Sequence, residues 1–336
     1  MGNASTGGRQ RILSGMRPTG RLHLGNLVGA LWNWRMLQDE YDCFFMIADY
    51  HALMSEYEAP ADIAANTREV LIDFISCGLD PARSVIFRQS DVPEHAELHL
   101  ILSCYTPISW LERNPTYKEQ VQQLVTRDIH NYAFLGYPVL QTADIAIYKA
   151  NLVPVGEDQL PHLELAREVV RRFNSLLGRE ALVEPQAKLT AAPRLLGIDR
   201  RKMSKSYGNQ IDVADPPDAI RKKVMAMITD PLRIRLADPG HPEDCNVCQY
   251  YKVFDPAAHP DVADKCRNSK WGCTDCKRHL ADVLVTFLAE PRAMRAELEA
   301  HPDRLRDILA DGARRAQAAA RQTLDEVRTL VGLGKM

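Results

Sequence analysis

Short apolar runs alternate with stretches of helical period through the first half of the chain. Positions 12–16, 43–48, 85–87 and 152–156 are brief and apolar, which is the character of buried strands. Between them the period changes. Leu27, Val28, Ala30, Leu31 and Trp34 fall on about one helical face, 66–78 is helix-like, and 158–174 reads as a long helix. This alternation predicts a parallel sheet covered by helices, an α/β arrangement. Ligands bind such sheets at the carboxyl ends of the strands. Gly15, Asp49, His51 and Gly156 are expected there. After Asp212 the strand-like runs cease. Asp215-Pro216-Pro217 marks a helix start, since proline is tolerated in a first turn. The rest reads as helices, broken between Pro256 and Pro260, at Pro291 and at Pro302. No internal repeat or low-complexity tract interrupts this order.

At 336 residues, 46% of them hydrophobic, the chain can fill one large or two unequal domains. A net charge of −2 does not mark a nucleic-acid binder, so any RNA footprint must be a local patch. Arg200, Arg201, Lys202 and Lys205 form one candidate, Arg221, Lys222 and Lys223 another, and Lys277 with Arg278 a third. Each is also what a solvated helix face looks like. No apolar run reaches the roughly 20 residues of a membrane span. Positions 1–10 are expected to be a loose tail, since 1–9 are polar and small and lack a signal-peptide core. A cytoplasmic location is expected, where disulfides are rare.

Two segments carry candidate chemistry. Arg17-Pro18-Thr19-Gly20-Arg21-Leu22-His23-Leu24-Gly25-Asn26 lies between a strand-like run and a helix that should begin near Gly25. Amide groups at a helix start bind anions, and glycine permits close approach. His23 can donate to a phosphate oxygen without carrying a charge. Lys202-Met203-Ser204-Lys205-Ser206 places two flexible ammonium groups in a polar segment, suited to charge on a departing pyrophosphate. The pair, in this order and separation, resembles the signature motifs of class I aminoacyl-tRNA synthetases.

The resemblance narrows at Tyr137-Pro138-Val139-Leu140-Gln141-Thr142-Ala143-Asp144-Ile145. It continues through Val153-Pro154-Val155-Gly156-Glu157-Asp158-Gln159, His162 and Glu164. These segments look like bacterial tryptophanyl-tRNA synthetases over nearly the whole chain from Arg11. Tyrosyl enzymes carry a glycine-serine-aspartate-glutamine core where this chain has Gly156-Glu157-Asp158-Gln159. The resemblance implies a Rossmann-like parallel-sheet catalytic domain over 11–200 and a signature loop at 201–213. It also implies a C-terminal helical anticodon-binding domain over 214–336, whose last helix can return to the catalytic domain.

It further implies a tryptophan–tRNA ligase that uses ATP with Mg²⁺, L-tryptophan and tRNA(Trp) as a homodimer, with Trp110-Leu111-Glu112-Arg113 near the interface. His23, Asn26, Lys202 and Lys205 are the implied catalytic residues. Gly15, Arg17, Thr19, Gly25, Gly156, Asp158, Met203 and Ser204 would complete the nucleotide site. Asp144 would accept the indole N–H, which is a donor only. Tyr137 and Gln159 would hold the ammonium and carboxylate, and Val153 and Val155 would flank the ring. His51, Gln141 and Leu13 would complete the pocket. Gln141 stands where many members have methionine, Leu13 where they have phenylalanine, Arg17 where glutamine is common. Gln120 replaces a second lysine, leaving Lys118 the better phosphate contact.

Eight cysteines in a cytosolic chain invite a metal explanation. Cys43, Cys77 and Cys104 sit in apolar settings and read as core residues. Cys245, Cys248, Cys273 and Cys276 form two CxxC pairs, the spacing of a structural zinc site. The resemblance instead implies a four-iron, four-sulfur (4Fe-4S) cluster on Cys245, Cys266, Cys273 and Cys276, with Cys248 spare. In either case the cysteines belong to the helical part, so their loss should leave tryptophan activation less affected than tRNA charging or folding.

Overall fold

A computed structural model describes residues 8–58, 60–114, 131–189 and 195–334. Five parallel strands form one sheet in the order β3-β2-β1-β4-β5. They are β1 (Arg11–Met16), β2 (Asp42–Ile47), β3 (Val85–Arg88), β4 (Leu152–Val155) and β5 (Gln186–Leu189). β1 runs in register with β2 from the Arg11–Asp42 pair to the Met16–Ile47 pair. The order reverses between β1 and β4, so a crevice opens at their carboxyl ends.

Side chains alternate across the sheet, as strand geometry requires. Ile12, Cys43, Phe45, Ile47 and Ile86 enter one apolar core. Leu13, Phe44, Met46, Val85 and Phe87 enter another on the opposite face. β2 is therefore buried on both faces, which explains its unbroken apolar run. The four strands expected from the sequence are present. β5 was not legible, because Gln186, Ala187 and Leu189 are exposed and the strand has no apolar signature.

The first core continues directly into the helical part. Ile220, Val224, Val247, Tyr250, Tyr251, Phe254, Leu280, Leu284 and Leu298 join it. Trp32 meets Phe254 and Phe287 edge-on, at 5.8 and 5.7 Å between ring centroids. The expected helix start is at Pro217, in the helix Pro217–Ala226. The break expected at Pro291 falls instead at Leu288, between the helices Cys273–Phe287 and Ala289–Ala300. Pro291 sits in the first turn that follows, where its missing N–H has no intrahelical partner to lose.

The long helix Pro302–Leu330 leaves the helical part and lies along β3 at the sheet edge. Ala316, Ala320, Leu324 and Val327 bury into the second core. Arg315 Nη1 donates to the Pro81 and Ser84 carbonyls at 2.9 and 3.2 Å, and Lys149 pairs with Glu326 at 2.6 Å. A helix laid over an edge strand blocks further strand pairing there. Among the described residues no helix is long and apolar enough to cross a membrane.

Candidate active site

The turn after β1 is locked by its own side chains. His23 caps the helix that starts at Leu24: Asn26 N donates to His23 Nδ1 at 3.2 Å, and His23 N donates to Asn26 Oδ1 at 3.1 Å. This reciprocal cap is worth about 1 kcal/mol. It also fixes the histidine's tautomer. Nδ1 accepts, so Nε2 carries the proton and is the free donor. Burial and the nearby Lys205 charge push the His23 pKa down to about 4. The ring is thus a neutral donor at physiological pH.

Behind the cap the helix passes through a π-helical segment, Leu27–Leu31, which turns Gly29 and Ala30 toward the crevice. Such segments concentrate at functional sites. Nothing in the apolar spacing of Leu27 to Trp34 announced it. Leu22 N, just before the cap, donates to Asp73 Oδ2 at 2.7 Å. Arg295 of the helical part donates to Asp73 Oδ1 at 2.8 Å. Burial pushes the Asp73 pKa up to about 6 against both partners. Asp73 and Arg295 thus tie the histidine turn to the helical part. A lone aspartate in an apolar helix was the available signal.

The crevice between β1 and β4 encloses a cavity of about 630 Å³. Of the candidate residues, Leu13, Gly15, Arg17, Gly25, Asn26, His51, Tyr137, Gln141, Asp144, Val153, Val155, Gly156 and Gln159 line it, whereas His23, Thr19, Lys202, Met203, Ser204 and Lys205 are not in its lining. Ser14, Trp34, Met46, Met54, Phe134 and His162 also line it and were not named as site residues. Gly15 is required by packing as much as by any ligand. A Cβ there would lie 2.8 Å from the Met46 carbonyl oxygen of the paired strand. Asp158 falls in the 3₁₀ turn Glu157–Gln159. Lys118 and Gln120 lie outside the described residues.

At the floor of the cavity Asp144 is fully buried and accepts three hydrogen bonds. His51 Nε2 reaches Oδ2 at 2.7 Å, while Gln89 Nε2 and His95 Nδ1 reach Oδ1 at 2.8 and 2.6 Å. Tyr148 OH lies 2.7 Å from His95 Nε2 and fills the ring's other nitrogen. Burial alone would raise the Asp144 pKa. The bonds from His51 and His95 outweigh it and hold the carboxyl well below the usual range. Two oxygens offer about four acceptor positions. Among the described residues three are taken, which leaves one on Oδ2. Nearby, burial pushes the Tyr137 phenol up to about 12, and its OH lies 3.3 Å from His162 Nε2.

The lysine segment docks on the histidine turn. Lys205 Nζ donates to the Thr19 carbonyl at 3.2 Å. Gly25 N points to Met203 Sδ at 3.4 Å. Met203 is buried, and Lys205 is half-buried with its pKa lowered by that burial. Lys202 is exposed and pairs through its backbone with Leu196. Ser204 N donates to Asn209 Oδ1 at 2.8 Å, and Ser204 Oγ lies 2.7 Å from Ser206 Oγ. The arrangement sets a neutral histidine donor and a half-buried ammonium beside the turn whose Gly25 and Asn26 line the cavity. A buried carboxylate lies at its floor.

The five clustered cysteines come together in the helical part. Cys245 opens the helix Asn246–Phe254, which carries Cys248; Cys266 ends the helix His259–Arg267; and Cys273 and Cys276 begin the helix Cys273–Phe287. Burial raises the Cys245 thiol's pKa, while backbone N–H groups of Cys248, Val247 and Asp230 pull it down. Burial likewise pushes the Cys276 thiol up to about 12. Cys245, Cys248, Cys266 and Cys273 lie within its electrostatic reach. Among the described residues no three His, Cys, Asp or Glu side chains lie close enough to hold one metal ion.

Comparison with known proteins bears on this geometry. The family model described as tRNA synthetases class I (W and Y) matches residues 5–289. A tryptophan–tRNA ligase of Thermotoga maritima is 46% identical, covering 96% of this chain and 99% of its own length. That of Aquifex aeolicus is 41% identical over 96% of this chain and all of its own length. Among solved structures, a tryptophanyl-tRNA synthetase of Campylobacter jejuni complexed with ADP and tryptophan superposes with a TM-score of 0.88. It is 33% identical, covering 96% of this chain and 100% of that one.

Proposed function

Because the chain belongs to the class I tRNA synthetases of the tryptophan and tyrosine type, we propose that it is a tryptophan–tRNA ligase. It activates L-tryptophan with ATP and then charges tRNA(Trp). The observation that carries the reading is the docking of the lysine segment on the histidine turn, Lys205 on the Thr19 carbonyl and Met203 against Gly25, where Gly25 lines a cavity that also contains Asp144. The C. jejuni structure, a complex with ADP and tryptophan, supports a nucleotide and tryptophan as ligands of this fold.

The chemistry is an in-line displacement. The tryptophan carboxylate oxygen attacks the α-phosphorus of ATP, taken as its magnesium complex. The bond to the bridging oxygen breaks, and pyrophosphate leaves. The protein supplies position and charge rather than a covalent intermediate. His23 Nε2–H and the Gly25 and Asn26 region hold phosphate oxygens. Lys202 and Lys205 stabilise charge on the departing pyrophosphate. Gly15, Thr19, Gly156 and Asp158 bound the nucleotide. A ribose hydroxyl of the tRNA's terminal adenosine then attacks the adenylate carbonyl, and AMP leaves.

Tryptophan selectivity rests on the fourth acceptor position of Asp144. One indole N–H completes that carboxylate, and a side chain without a donor leaves it unfilled. Tyr137 and Gln159 hold the ammonium and carboxylate, with Leu13, His51, Gln141, Val153 and Val155 around the ring. The helical part reads the anticodon. A cytoplasmic homodimer follows from the family. Leu100, Ile108 and Tyr132 are exposed apolar side chains, and Ile108 shares the helix Ile108–Arg113 with the expected segment 110–113.

For the cysteines, a 4Fe-4S cluster on Cys245, Cys266, Cys273 and Cys276 is favoured over zinc. Four sulfurs bonded to one tetrahedral zinc at about 2.3 Å lie only about 3.8 Å apart. A cube of iron and sulfide spreads its thiolates more widely. Buried and half-buried thiols within electrostatic reach of one another, yet among the described residues not grouped for one ion, suit the larger group. The backbone N–H groups around Cys245 are what a bound thiolate needs. No step of the reaction is assigned to it.

ATP–pyrophosphate exchange with each amino acid tests the reading. Tryptophan-dependent exchange is expected. Exchange with tyrosine instead, or with neither, overturns it.

A further inference from the structure

The lysine loop has two limbs, and each is held by a different part of the chain. Leu196 pairs with Lys202 across a tight turn, in which Gly197 N donates to the Arg201 carbonyl at 2.8 Å. The outgoing limb is held by Asn209, which is 2% exposed. Its Nδ2 donates to the Lys202 carbonyl at 3.1 Å, and its Oδ1 accepts the Ser204 amide at 2.8 Å. Gly197 faces the same side chain so closely that a Cβ there would overlap the Asn209 amide.

The incoming limb is held from the cysteine-bearing module. Asn246 Nδ2 donates to the Gly197 carbonyl at 2.8 Å. Tyr250 OH donates to the Leu196 carbonyl at 2.6 Å. Both side chains are buried, at 2% and 0% exposure, and both belong to the helix that opens at Cys245. Ile228 N adds a third bond, to the Ile198 carbonyl at 2.8 Å. Three consecutive carbonyls of one limb are therefore gripped by the module that carries the cysteines. Packing alone would be met by phenylalanine at position 250. The hydroxyl is there for the Leu196 carbonyl.

We propose that Asn246 and Tyr250 are positioning residues for adenylate formation. They fix the incoming limb so that Lys205 stands over the histidine turn, and so join that step to the helix on which Cys245 and Cys248 sit. The proposal rests on the assignment of Lys205 to pyrophosphate departure. It reverses the expectation, drawn from chain order alone, that the cysteine region is remote from activation. A small displacement of a charged group is expensive in a step that depends on orientation.

The test is a double-mutant cycle read by single-turnover adenylate formation. Tyr250→Phe and Asn246→Ala are each expected to slow that step on the order of ten-fold. Tryptophan affinity by equilibrium dialysis should stay unchanged, with a folded protein by thermal denaturation. In a Lys205→Ala background, Tyr250→Phe should cost nothing further, because the lysine it positions is gone. A full additional loss there overturns the proposal, as does a normal rate in Tyr250→Phe or an equal loss of tryptophan affinity. If Asn246→Ala fails to fold, Tyr250→Phe decides alone, since it removes one hydroxyl. A Lys205→Ala enzyme of normal rate overturns the assignment of Lys205, and this proposal with it. A slow Lys205→Ala enzyme with additive losses overturns only this proposal.

Discussion

Lys205 Nζ lies 3.2 Å from the Thr19 carbonyl oxygen, joining segments 186 positions apart. The ammonium rests on the turn that His23 caps. Its pKa is lowered by burial, and Asp212 and Asp73 act against the shift.

Removing that ammonium should therefore affect the transition state more than the ground state. Lys205→Ala is expected to cost about 2.7–4 kcal/mol of activation free energy, the scale of one charge-stabilising donor. Tryptophan affinity should hardly change. Rapid-quench measurement of adenylate formation checks this, and a near-normal rate would remove Lys205 from the mechanism.

Asp144→Ala should raise the tryptophan requirement and narrow the discrimination against phenylalanine. The substitution removes a buried cavity carboxylate with an acceptor position left for an indole donor. It also strands the buried donors of Gln89 and His95, at about 1–3 kcal/mol each, so the melting temperature should fall as well. Exchange kinetics with both amino acids, read beside a denaturation curve, separate the two effects. Wild-type selectivity in a destabilised protein would make Asp144 purely structural.

Much of this site is legible in the sequence. Short apolar runs located β1 to β4, and glycine, histidine and lysine in motif spacing picked out the two segments that the fold brings into contact. What escaped was set by contacts across the chain. Gln89, His95 and Tyr148 carry no local signature; they matter because the fold brings them to Asp144. Asp73 and Arg295 are 222 positions apart, and neither names the other. The π-helical segment Leu27–Leu31 differs from an α-helix by one residue per turn, too little for an apolar pattern of that length to register. β5 escaped because its side chains are exposed. The link from Asn246 and Tyr250 to the lysine loop runs through backbone carbonyls, which any residue could supply.

His23 makes stability depend on pH with a definite sign. Its pKa falls from 6.5 to about 4 on folding. The unfolded chain therefore binds more protons between those values. The contribution is fully present above about pH 6.5 and is lost as pH falls toward 4. His23→Gln keeps a donor and does not titrate. The melting-temperature difference, wild type minus variant, should thus become less positive, or more negative, on acidification from pH 7 to pH 4.5. A difference that stays constant would mean that His23 is not held neutral. Activity of the wild type should likewise show no loss at pH 6.5 attributable to this ring.

Protein purified without oxygen is expected to be brown, with a broad visible band, roughly four irons per chain and matching sulfide. The expectation rests on Cys245, Cys266, Cys273 and Cys276. The thiols of Cys245, Cys248, Cys266 and Cys273 all lie within electrostatic reach of Cys276, although no three side chains among the described residues form a single-ion site, so the ligand set is what the variants decide. Cys248→Ser should keep the colour and Cys266→Ser should bleach it. One zinc per colourless chain, lost with Cys248→Ser and kept with Cys266→Ser, would reverse the ligand set. The two outcomes differ in which helix is anchored. Under the zinc assignment Cys248 ties the helix Asn246–Phe254 at a second point, beyond Cys245. Under the cluster assignment Cys266 draws the end of the helix His259–Arg267 into the group. Because Asn246 and Tyr250 share the Cys245 helix, bleaching by Cys266→Ser should slow tryptophan activation as well as tRNA charging. Exchange assays on the bleached protein measure that directly, and an unchanged activation rate would show that the helix holds its place without the group.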